Sequence, residues 1–241
     1  MPANTWTPTA LQSEARPWHG AGWRAVEAQH KVSTMALTHG NLADQAMLEN
    51  ILEQAKPALP KAAAGLHWLL STPFRYSPLR GGSRFRTRGE PGVFYGAEDR
   101  KTACAEVGYW RWKFWMESAG LREKSKSVQL TLFEFHAKTA HALDLLQPPL
   151  AADRALWTHS SSYDATQQLA ASARKAEIDM IRYESARNTG GVCLALMTPQ
   201  VFRNVRRPWR SNQQTWALHI QPPGLVTWQR ELENESFSFE F

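Results

Sequence analysis

The chain has 241 residues, 43% hydrophobic and 21% charged, a balance that supports one domain with a sizeable core and excludes fibrous, collagen-like and wholly disordered chains. Lys and Arg number 28 against 22 Asp and Glu, giving +6 and an isoelectric point near 9.5. That charge favours an anionic partner, whether nucleic acid, a phosphate ester or an acidic protein.

The two cysteines, Cys104 and Cys193, are too few and too far apart for a disulfide framework or a four-thiolate metal site, and they fit a reducing setting. The N-terminal stretch has no apolar core of signal-peptide length, and no window approaches the roughly 18 apolar residues of a membrane span. A cytoplasmic protein is expected.

Residues 1 to about 40 mix Pro, Trp, His and Gly without a sustained period and read as an extension that wraps the body or moves. Asn41 then caps a helix over about 41–56, with Met47, Leu48, Ile51 and Leu52 at helical spacing, Asp44 in the first turn and Pro57 as its stop. Its apolar stripe is expected to dock on the core. A short helix is expected near 61–70, and Pro73 is expected to keep 72–76 extended.

From there to Tyr95 the chain reads as loop, with five arginines (Arg75, Arg80, Arg84, Arg86, Arg88) threaded between glycines. Val93–Gly96 reads as a buried strand. Asp99 is positioned to cap a helix from Arg100 to about Glu117, which carries Glu106 on its mostly apolar side. Strands are expected over 128–135, 142–145, 178–183, 192–197 and 216–220 and at Phe237, Phe239 and Phe241, with a helix capped by Asp164 through about Ala173. The strict strand and helix alternation of a doubly wound sheet is missing, so the expected fold class is an irregular mixed α/β, or α+β, domain.

Phosphate-loop, GxGxxG, HExxH, paired Cys/His and GxSxG patterns are absent. What remains is the Arg, Tyr and Gly cluster between Phe74 and Tyr95, followed by the carboxylate of Glu106. Guanidinium groups bind diphosphate oxygens bidentately, glycines allow close backbone approach and tyrosine rings offer a face for a planar base.

Phe74-Arg75-Tyr76, Gly82-Ser83-Arg84-Phe85, Gly92-Val93-Phe94-Tyr95-Gly96, Thr102-Ala103-Cys104-Ala105-Glu106 and Arg182-Tyr183-Glu184-Ser185-Ala186-Arg187 together resemble the RES domain, named for its Arg, Glu and Ser. The resemblance runs from about Phe74 to Ile220, so residues 1–70 are expected to form a partly helical N-terminal extension and 71–241 the RES domain. It implies a fold similar to ADP-ribosyltransferase toxins and a toxin that breaks down NAD+ at the nicotinamide–ribose bond, partnered by a helix-turn-helix antitoxin that contacts DNA. NAD+ would be a substrate, with no recycled cofactor and no metal. The acceptor stays open among phosphate (a phosphorylase), water (a glycohydrolase) and a protein side chain (a protein ADP-ribosyltransferase).

The resemblance assigns Arg75 to the pyrophosphate and Ser185 to positioning ribose or phosphate, with Arg84 as a second grip and Tyr76 and Tyr95 at the nicotinamide ribose end. Glu106 would stabilise the oxocarbenium-like sugar left when neutral nicotinamide departs. Each has a plainer reading: a paired surface glutamate or arginine, a turn serine, a core tyrosine. A non-catalytic nucleic-acid-binding protein is the competing class, suggested by charge and by Trp110, Trp112 and Trp115 interleaved with Arg111 and Lys113.

Overall fold

The computed structural model describes residues 6–27, 35, 37–76, 82–230 and 233–241, with only the backbone at 209–211. Pro78, Arg80 and Gly81 of the arginine-rich loop lie outside the described residues. In chain order the elements are α1 (Pro8–Glu14), β1 (Arg16–Glu27), α2 (Leu42–Gln54), α3 (Trp68–Arg75), β2 (Phe94–Ala97), α4 (Arg100–Glu117), β3 (Lys126–Asp144), α5 (Arg154–Trp157), α6 (Asp164–Lys175), β4 (Met180–Glu184), β5 (Val192–Leu196), α7 (Gln200–Arg203), β6 (Trp209–Gln221), β7 (Leu225–Arg230) and β8 (Ser236–Glu240). This is a mixed α+β fold.

The strands form one sheet in the order β1-β2-β5-β4-β3-β6-β7-β8, and β1 also pairs with β3. Among the described residues only β3 and β4 run parallel; every other pairing is antiparallel. The period of two in the strands divides the core into two layers. Leu130 and Leu132 of β3 join a cluster with Trp157, Leu169 and Trp216. Phe133 and Phe135 of the same strand face the opposite cluster, with Phe94, Leu194, Leu196 and Phe202.

β1 departs from the expected wrapping extension. It pairs with β3 from Arg16↔Ala142 to Glu27↔Leu130, so part of the segment assigned to residues 1–70 lies inside the sheet. Alternation is hidden in its sequence because Gly22 stands where a hydrophobe would be counted. The Phe135 ring covers both Gly22 and Gly96, and an added Cβ would sit 2.5 Å from that ring at either position.

The helix behind Asn41 forms, with the Asn41 side chain accepting from the N–H groups of Ala43 and Asp44. Its apolar stripe does not dock on the core: Met47 is 65% and Ile51 57% exposed. Periodicity identifies an apolar face but says nothing of where its partner is.

The 72–76 segment is not extended, since α3 runs through Pro73 to Arg75. The helix expected near 61–70 is a 3-10 turn at Lys61–Ala63 followed by α3. The two strand runs at 128–135 and 142–145 are one long strand, β3. Tyr163 takes the cap position of α6 and Asp164 falls in its first turn, where a carboxylate suits the helix dipole. Among the described residues no helix is long and apolar enough to cross a membrane.

Gly96→Ala should destabilise the protein by about 1–3 kcal/mol, because the new methyl must displace the Phe135 ring from a close-packed layer. Urea denaturation of the variant measures this; an unchanged midpoint would show that the ring has room to move.

Candidate functional site

α4 lies across the sheet and presents Glu106. Asp99 caps it, accepting from the Thr102 N–H at 2.8 Å, and Thr102, Ala103, Cys104, Ala105 and Gly108 are buried against the strands. Glu106 sits on the margin of that buried face, half-buried. Its Oε1 accepts a 2.6 Å hydrogen bond from the Ser185 hydroxyl and faces the Cys193 thiol at 3.8 Å. Ser185 follows β4 and is itself buried.

Across from Glu106 a tight turn brings in Arg84. Ser83 and Arg86 pair through their backbones, and Gln167 Nε2 fastens the turn to α6 through the carbonyls of Ser83 and Arg86. Phe85 at the tip is wholly buried, edge-on to Tyr183 at 4.8 Å, and this anchor pulls Arg84 inward. The Tyr95 hydroxyl lies 2.8 Å from Ser83 Oγ and accepts from the Phe85 N–H at 3.0 Å, gripping the chain on both sides of Arg84. Arg84 Nη1 donates to the carbonyls of Trp157 and His159 at 2.8 and 3.1 Å, and its guanidinium carbon lies 4.7 Å from the centre of the Tyr163 ring.

Between these walls lies a cavity of about 400 Å³, within the range of small-molecule sites. Glu106, Arg84, Tyr95, Tyr163, Tyr183 and Cys193 are among its lining residues. Among the described residues Arg84 and Glu106 form no ion pair. Both charges nevertheless act on the same groups. Burial chiefly, then the neighbouring Cys193 and Glu106 charges, push the Tyr183 phenol well up, while Arg84 pulls it down. Burial and then Glu106 push the Cys193 thiol well up, against a smaller opposing effect of Arg84. The two charged side chains therefore look onto one floor from separate walls.

Trp110, one helical turn beyond Glu106, stands at the rim and is 47% exposed. Trp112 and Trp115 are partly buried against the core, with their indole N–H groups on the Pro223 and Lys124 carbonyls, so the three tryptophans do not form a shared stacking strip.

Four of the expected site residues, Glu106, Ser185, Arg84 and Tyr95, are thus brought together. Arg75 and Tyr76 are not. Arg75 ends α3, with Nη1 on Glu53 and Nε on the Pro57 carbonyl, each at 2.6 Å. Tyr76 is exposed, and its carbonyl accepts from Arg86. The helix through Pro73 turns this segment away from the cavity.

Sequence reasoning missed the wall supplied by β1. β1 and β2 pair at Trp23↔Ala97. Beside that point Arg24 donates from Nη1 to the Tyr95 carbonyl and rests on the Phe94 ring at 4.7 Å. Burial lowers its pKa to about 10, with the Tyr95 charge opposing the shift. Trp23 and Arg24 both line the cavity. A Trp-Arg pair amid glycines was the available signal, lost because the segment was read as an extension.

The RES domain family matches residues 59–221, more than half of the chain. The chain belongs to the RES domain family. The match leaves out β1, although that strand completes the cavity of this RES domain. One solved structure, the M. tuberculosis MbcT-MbcA toxin-antitoxin complex, is similar at a TM-score of 0.49 and 10% identity, covering 89% of this chain and 92% of that one. No curated protein matches the chain.

The raised thiol pKa values have a direct consequence. Burial pushes Cys104 well up as it does Cys193, so both stay protonated where an open thiol would ionise. The stability this reflects is intact below the ordinary thiol range and is lost as pH climbs above it. Iodoacetamide at pH 8 should label both cysteines at least about tenfold more slowly in the folded protein than in urea. Mass spectrometry of the labelled protein reads this; rapid native labelling of Cys193 would mean that the cavity floor is open.

Proposed function

We propose that this RES domain is a toxin-type enzyme that breaks down NAD+ by cleaving the nicotinamide–ribose bond and passes the ADP-ribosyl group to phosphate or water. The observation that carries the reading is the pairing of Arg84 and Glu106 on one cavity without a bond between them. A ligand that presents an anion to one side and a developing cation to the other fits that arrangement, and NAD+ does so.

The nicotinamide of NAD+ is already cationic. Heterolysis of its bond to ribose C1′ returns the electron pair to the ring, releases neutral nicotinamide and leaves positive charge on the sugar. The Glu106 carboxylate stabilises that charge. Its Oε1 is occupied by the Ser185 hydroxyl, leaving Oε2 for the sugar. Ser185 is a positioning group and not the nucleophile. The Arg84 guanidinium takes the diphosphate, and its two carbonyl partners on the 157–159 segment keep it from turning back onto Glu106. The Trp110 and Tyr163 rings offer faces to the planar parts of the ligand.

Attack by phosphate at C1′ gives a phosphorylated ADP-ribose, and attack by water gives ADP-ribose. NAD+ is consumed, so no recycled cofactor takes part. The toxin setting and the helix-turn-helix antitoxin partner rest on RES membership. The competing nucleic-acid reading gains little from the surface, because Arg75, Arg100, Arg111, Arg154, Arg174, Arg182 and Arg230 all pair with carboxylates of this chain.

Nicotinamide release by the purified protein, with and without phosphate, tests the proposal. Glu106→Gln should lower the rate by about 10²–10³ with the fold retained. Arg75→Ala, outside the cavity, should leave it within about twofold. No release by the unaltered protein, or full activity in Glu106→Gln, would overturn the reading. Label on protein in place of free ADP-ribose would make the acceptor a side chain.

A further inference from the structure

The Ser185 hydroxyl has every direction assigned. Its Oγ accepts from the backbone N–H groups of Arg187 and Asn188, each at 3.0 Å. The remaining proton goes to Glu106 Oε1 at 2.6 Å, so Glu106 is the acceptor in this bond. The turn that creates this geometry is fastened to α4 by a second bond, from Asn188 Nδ2 to Thr102 Oγ1 at 2.8 Å.

Thr102 and Glu106 are four residues apart and share a face of the helix. Ser185 and Asn188 are three apart in the loop, so two bonds run side by side from loop to helix. Thr102 is wholly buried, and its own proton is committed to Asp99 Oδ2 at 2.6 Å. Thr102 Oγ1 therefore acts only as acceptor toward Asn188, while the other Asp99 oxygen caps the helix. The loop closes through Gly191, whose N–H donates to the Asn188 carbonyl at 2.8 Å. A Cβ at Gly191 would lie 2.3 Å from Thr102 Oγ1 and 2.6 Å from Asn188 Nδ2, so the chain passes in direct contact with the tie and tolerates no side chain there.

We propose that Asn188 and Thr102 are positioning residues for the reaction: their bond sets the loop so that Ser185 holds Glu106 Oε1 and leaves Oε2 toward the cavity. This rests on the reading of Glu106 as the carboxylate beneath the ribose. A displaced carboxylate loses stabilisation of the sugar cation in the transition state, while the contacts to diphosphate and rings persist. The effect falls on kcat and spares KM.

Three variants and one structure test it. Asn188→Ala and Thr102→Val should each lower kcat for nicotinamide release by roughly tenfold or more, with KM within about threefold. Thr102→Ser, which restores the hydroxyl, should return kcat to within about twofold. Circular dichroism confirms folding, and Asn188→Ala, which leaves the Asp99 cap intact, carries the test if Thr102→Val does not fold. In a crystal structure of Asn188→Ala, Ser185 Oγ and Glu106 Oε1 should separate beyond about 3.5 Å, the limit of a hydrogen bond.

An unchanged kcat, a rise in KM alone, or a preserved Ser185–Glu106 bond in that crystal would each overturn the inference. A wild-type protein that releases no nicotinamide would instead remove the proposed reaction, and the crystal structure would still decide whether the tie sets the loop.

Discussion

A carboxylate on a helix is useful only if it cannot swing, and here the main restraint on Glu106 is the 2.6 Å bond from the Ser185 hydroxyl, with the Cys193 thiol on the same oxygen at 3.8 Å. That bond exists because α4 and the loop after β4 are each held in place and are tied to each other through Asn188 and Thr102. The helix is fixed by the Asp99 cap and a buried face on the strands, and the loop by its own backbone bonds and by β5 immediately after it. Helix and loop meet through two parallel bonds, and the cavity lies beside Glu106. A fixed charge of this kind needs little rearrangement when an opposite charge develops beside it.

Arg84 is held on the same plan with different parts. A phenol grips the chain on both sides of it, two carbonyls take one of its nitrogens, and a buried phenylalanine next to it anchors the turn. Burying so many donors and acceptors without partners would be costly, and the Arg84 Nη1, the Tyr95 hydroxyl and the Ser83 and Arg86 carbonyls all have partners, while Arg86 Nε has none among the described residues. The cavity is therefore bounded by rigid polar frames standing on an apolar core.

Much of this was legible in the sequence. α4, its Asp99 cap and the inward side of Glu106 follow from period and capping rules, and β2, β5 and the period of β3 follow from apolar runs. Arg84, Tyr95 and Ser185 came from the ordered motif; Arg84 and Tyr95 line one cavity with Glu106, and Ser185 bonds to Glu106. The failures have physical causes. Arg75 and Tyr76 were placed with the site by the motif resemblance in a segment expected to be extended, whereas α3 accommodates Pro73 and points Arg75 to Glu53. β1 was hidden because its Gly22 answers to a ring more than a hundred residues away, Phe135. The Met47 and Ile51 stripe was read correctly as a helix face and wrongly as a docked one, since local periodicity carries no information about distant surfaces.

The same long-range pairing has a temporal consequence. Arg24 meets Phe133 across the β1–β3 ladder, and the cavity draws on residues from Trp23 to Cys193. Such distant contacts are slow to close, because the intervening chain must first give up its conformational freedom. On the ribosome β1 emerges well before the strand that receives it, and the charged pair confronts one hollow only after β5 has been synthesised. A nascent chain of this protein thus lacks the assembled cavity through most of its translation.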